Sequence, residues 1–126
     1  MSGALPSAIQ SRLAAICGLY RSILELTKRV VADFSFDALN EALKKRDLLF
    51  LRIEGEESEL YAQEGAFHWV GTEHTREIRE HIYAIADLDR RLTAQASDHI
   101  ARVKQELSSL TDTSHAARAY TRNSRT

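Results

Sequence analysis

Five acidic and imidazole side chains crowd one short stretch: Glu73, His74, Glu77, Glu80 and His81. Metal binding is the first chemistry such a set suggests, since His74, Glu77 and His81 share one face of a helix. The spacing argues against it. A di-iron helical bundle takes its ligands from Glu-x-x-His pairs on inward faces, and no histidine here has a glutamate three residues before it. The His-Glu-x-x-His spacing of helical zinc hydrolases is absent as well. A solvated first helical turn is the expected role, with no metal and no cofactor.

Nucleophilic and phosphate chemistry have equally little to stand on. Cys17 is the single cysteine and lies next to Ile16 beside an apolar seam, where a cysteine is expected to act as a small buried hydrophobe. No glycine-rich phosphate loop or nucleophile elbow is present. Arg46, with Lys44 and Lys45 beside it, is the only hint of an anion-holding cluster. Its place on an apolar seam predicts instead that it snorkels to water or pairs with a carboxylate on the third helix. The expectation is a protein that is not an enzyme.

The elements that position these residues are helices. Ile9, Leu13, Ile16, Tyr20, Ile23, Thr27, Val30 and Phe34 recur at alternating four- and three-residue steps, the signature of one helical face. The spacing predicts a first helix from Pro6 or Ser7 to about Asp33. Ser35 can cap the next one, with Asp37 and Glu41 placing negative charge at its start. Phe36, Leu39, Leu43, Arg46, Phe50, Ile53, Glu57 and Leu60 continue the alternation, and Phe34 and Phe36 flank the turn of an expected antiparallel hairpin. Tyr20 and Phe50 are predicted core residues. The second helix is expected to weaken over the acidic stretch from Glu54 to Glu59, because acid near a helix C-terminus opposes the macrodipole. That stretch reads as a solvated face.

Gly65 to Gly71 reads as a connection. Thr72 or Thr75 can then cap a third helix whose apolar positions are Ile78, Ile82, Ile85, Leu92, Ala96, Val103, Leu107 and Leu110. The pattern lapses from Thr111 to Ser114, so residues 111–126 are expected to form a short final helix, Ala116 to Tyr120, and a frayed tail rich in arginine. The fold class is therefore all-α: an antiparallel bundle of three long helices with a short or disordered C-terminal addition, in one domain spanning residues 1–126.

Composition supports this outline. The chain has 126 residues, a single proline, five glycines and 44% hydrophobic content; breakers this rare favour long helices. A net charge of −1 argues against a nucleic-acid partner. No segment approaches the ~18 apolar residues of a membrane span, and no secretory signal is recognisable at the start. A cytoplasmic location is the default. A leftover seam can close within one chain or between two, which leaves a homodimer open.

Two apolar groups exceed what a hairpin core can bury. Leu48 and Leu51 extend Leu49 and Phe50 into a four-residue apolar run, and Phe67 and Trp69 sit inside the glycine-bounded connection. The third helix can cover them; otherwise they form a partner surface, since such side chains dominate binding energy when exposed. Leu48, Leu51, Phe67 and Trp69 are the candidate partner-binding residues.

The order of features is similar to one known family. A seamed first helix precedes Phe36-Asp37-Ala38-Leu39, then Leu43-Lys44-Lys45-Arg46-Asp47-Leu48-Leu49. An Ile78-to-Leu92 stretch follows with aspartates at 87 and 89, and then Ala116-Ala117-Arg118-Ala119-Tyr120. This resembles the FliT/FlgN class of flagellar type III export chaperones, small cytoplasmic helical proteins with an L-x-x-R-x-x-L segment in the second helix and often a tyrosine closing the last. Leu43, Arg46 and Leu49 occupy that segment here, and Tyr120 the terminal place. The Gly65-to-Gly71 connection departs from the pattern. The resemblance implies a chaperone that binds the amphipathic C-terminal segment of a filament-cap or hook-junction protein, keeps it unassembled and passes it to the export machinery. A generic helical adaptor or regulator is the competing expectation.

Overall fold

Three helices and no strand make up residues 7–62 and 72–124, the part of the chain that the computed structural model describes. They are α1 (Ser7–Ala32), α2 (Phe36–Tyr61) and α3 (Glu73–Ser124). Contacts divide the chain into two units, residues 1–92 and 93–126.

In the first unit, α1 supplies most of the core. Ile9, Leu13, Ile16, Ile23, Thr27 and Val30 of the seam are buried, joined by Cys17, Leu19 and Leu24. Thr27 is the one polar side chain in that set, and its hydroxyl donates to the Ile23 carbonyl at 2.7 Å, so its burial leaves no orphaned donor. Tyr20 and Phe50 are half-buried against the main cluster, not inside it. Their rings meet edge to face, with centroids 6.4 Å apart. Arg46 of α2 lies over the Phe50 ring, 5.8 Å from its centroid.

The turn after α1 is built as the sequence predicts. Ser35 has extended backbone, and its hydroxyl accepts from the Ala38 amide at 3.0 Å. The Phe34 and Phe36 rings bracket it at 5.4 Å. Arg12 meets Glu56, Tyr20 meets Phe50 and Phe34 meets Phe36, so numbering climbs along α1 as it falls along the facing side of α2.

Two expectations for α2 change. The buried stripe passes through Ala42, half-buried Arg46, Ile53 and Leu60, while Leu43 stays exposed. Alanine at 42 lets Val30 and Leu92 close over it, and Leu43 is carried one position around the helix toward water. Nor does α2 weaken over Glu54–Glu59. Ile53 and Leu60 anchor it from both sides of the acidic stretch, and Arg12 donates to Glu56 at 3.0 Å with Glu59 at 3.6 Å. Burial outweighs an unfavourable dipole worth only ~0.3–1 kcal/mol.

Thr72 is the residue that caps α3: its hydroxyl accepts from the Thr75 amide, and the Thr75 hydroxyl donates back to the Thr72 carbonyl at 2.7 Å. Ile85 and Leu92 are buried, but Ile82 is exposed. In the second unit, α3 continues without a break through residues 111–124, where a short final helix and tail were expected; the last two residues of that expected tail lie outside the described residues. No glycine or proline interrupts α3. Thr111 and Thr121 satisfy their hydroxyls on the carbonyls of Leu107 and Ala117, both at 2.9 Å, which lets polar residues sit inside the helix. The seam residues Val103, Leu107 and Leu110 are exposed there, not packed.

Gly18 and Gly55 lie within helices, and an added methyl group at either would meet no atom within 4 Å.

Candidate partner-binding surfaces

Of the four residues predicted to bind a partner, two are described. Leu48 and Leu51 stand on the outer side of α2, 65% and 62% exposed, separated by three residues and so adjacent on the helix surface. Phe67 and Trp69 lie outside the described residues. α2 presents this pair because its opposite side is committed: Leu49 and Phe50 pack on the main cluster, and Ile53 lies within it.

Sequence reasoning missed a second surface. Leu13 and Ile16 of α1, Leu60 and Tyr61 of α2, and Ile78 and Ile82 of α3 line an apolar cleft of about 240 Å³, together with Glu57, Thr75 and Arg79. The cleft needs three helices at once, so no periodicity within one helix reveals it. Burial pushes the Glu57 carboxyl above its ordinary range, and neighbouring Glu54 adds to that. Glu57 and Arg79 give this apolar lining one carboxyl and one guanidinium.

Two of the polar groups weighed for chemistry, Arg46 and Cys17, are engaged structurally. Arg46 is nearly buried, its side chain 11% exposed, and donates through Nη1 and Nη2 to Asp89 Oδ1 and Oδ2 at 2.8 and 3.0 Å. This bidentate pair joins α2 to α3 and is the carboxylate partnership the seam position predicted. Cys17 is buried and donates to Glu77 Oε2 at 3.2 Å. Desolvation, reinforced by Glu77, raises its thiol pKa, which disfavours the nucleophilic thiolate. His74 Nδ1 and His81 Nε2 are buried and find no hydrogen-bond partner. Among the described residues, no three His, Cys, Asp or Glu side chains gather closely enough to hold a metal.

No described helix is long and apolar enough to cross a membrane. Compared with family models, curated proteins and solved structures, the chain matches none.

Proposed function

We propose that this protein binds a partner helix without catalysis, and that the partner is the amphipathic C-terminal segment of a flagellar filament-cap or hook-junction protein awaiting export from the cytoplasm. The observation that carries the binding reading is the exposed pair Leu48 and Leu51 on a helix whose other side is already packed. Two adjacent leucines facing water contribute nothing to the core and supply apolar anchors for an incoming helix. The cleft between Leu60 and Ile82 offers a further apolar seat. The surrounding scaffold is helical, with α1 and α2 packed against each other. The flagellar assignment rests on the sequence resemblance through Leu43, Arg46, Leu49 and Tyr120.

The experiment is a titration of the purified chain against the C-terminal segment of a flagellar cap protein. Leu51→Ala should weaken binding by about thirtyfold, the ~2 kcal/mol of a typical anchor, with circular dichroism unchanged. Unchanged affinity would remove Leu51 from the site. No binding by the wild-type chain would remove the chaperone reading and leave a helical adaptor for another partner.

A further inference from the structure

The second unit carries an apolar stripe that the binding surface above does not use. Ile100, Val103, Leu107 and Leu110 follow each other at steps of three, four and three residues, and their exposure runs from 46% to 65%. Ala96 before them and, past Ser114, Ala117 after them extend the same line, roughly 32 Å of helix at 1.5 Å per residue. The line has the strict spacing of a coiled-coil seam.

Its width decides between a membrane and a helix. An interfacial membrane helix needs a broad apolar face, whereas here Lys104, Glu106, Thr111 and Thr113 border the line closely on both edges. That is the narrow seam of helix pairing. Charge then decides which helix. Lys104 and Arg118 lie along one edge with Arg122 behind them, and that edge carries no acid; Glu106 is the single acid on the other edge, and Asp98 and Asp112 point away from the seam. A second copy fits poorly. Paired in parallel, it would set His99 against Lys104; paired antiparallel about the middle of the stripe, it would set Lys104 against Lys104 and Glu106 against Glu106. Neither arrangement matches opposite charges.

We infer that residues 96–117 form a docking seam for a partner helix with apolar a and d positions and acidic residues along the edge facing Lys104 and Arg118. The acidic edge supplies register and attraction, and the stripe supplies buried area.

The test uses the full chain and two synthetic helices of about four heptads. Both have leucine and isoleucine at a and d; one has glutamate at e and g, the other lysine. The acidic peptide should bind about tenfold tighter than the basic one at low salt, the size expected of a few edge pairs, and the gap should narrow as salt rises. Leu107→Glu should abolish binding with helicity unchanged. Lys104→Glu combined with Arg118→Glu should reverse the preference, while Leu51→Ala should leave it intact and so separate this seam from the α2 surface. Equal affinity for the two peptides, binding of neither, or insensitivity to Leu107→Glu would overturn the inference. A dimer of the chain alone that Leu107→Glu dissociates would assign the seam to a second copy. Binding to anionic vesicles lost in the same variant would assign it to a membrane. Either result also overturns the inference.

Discussion

At the scale of single residues, the half-buried polar groups are the most exacting part of this protein. Arg46 is held by both oxygens of Asp89 while Asp89 itself reaches water, so the two partners are not equivalent. Asp89→Ala strands a guanidinium in a nearly dry site and should cost ~1–3 kcal/mol in urea unfolding. Arg46→Met keeps the packing on Phe50 and leaves Asp89 to the solvent, so it should cost less. The reverse order would show that the stem of Arg46, not its charge, joins α2 to α3. Glu57 responds to pH. Its carboxyl pKa is raised in the folded protein by burial and by Glu54, so the folded state binds the proton more tightly than the unfolded state. The charged form therefore subtracts stability above the folded pKa, and that loss is relieved as pH falls toward the ordinary carboxylate value of 4.5. Glu57→Gln should raise the melting temperature at pH 7, with the advantage shrinking as pH falls toward 4.5 and absent below it. An advantage that persists at pH 3 would place its origin elsewhere than in charge.

At the scale of helices, α1 was legible almost residue by residue because its seam is unbroken and nearly all aliphatic. Leu13→Ala and Ile23→Ala should each cost ~2–5 kcal/mol. Tyr20→Ala and Phe50→Ala should fall below the ~3–5 kcal/mol of fully buried aromatics, because both side chains are only half-buried. α2 was less legible. A pattern that counts large apolar residues selects Leu43 over Ala42, yet close approach to Val30 rewards the smaller side chain. Leu43→Ala should cost under ~1 kcal/mol, and a larger loss would restore Leu43 to the core. In α3, threonines and serines read as a break, although their hydroxyls can bond the preceding turn and leave the helix intact. The exposed pair Leu48 and Leu51 followed from a surplus of leucine. The cleft did not, because its walls belong to segments far apart in sequence.

At the scale of the molecule, protection is uneven. Among the described residues, every buried one lies in the first unit, while residues 100–122 of the second are exposed throughout. Hydrogen exchange at neutral pH should find amides near Leu13, Ile23 and Thr27 protected up to the global stability, and those beyond Ile100 exchanging through far cheaper local openings. Saturating an occupant on the seam should slow the latter group, and uniform protection without one would contradict the division. The two open glycines bear on the whole molecule in another way. No packing contact requires Gly18 or Gly55 to lack a side chain, so Gly18→Ala and Gly55→Ala should each add roughly 0.5–1 kcal/mol by restricting the unfolded chain. The doubly substituted protein then provides a sturdier host, in which variants such as Asp89→Ala or Leu13→Ala can remain folded long enough for their partner affinity to be measured.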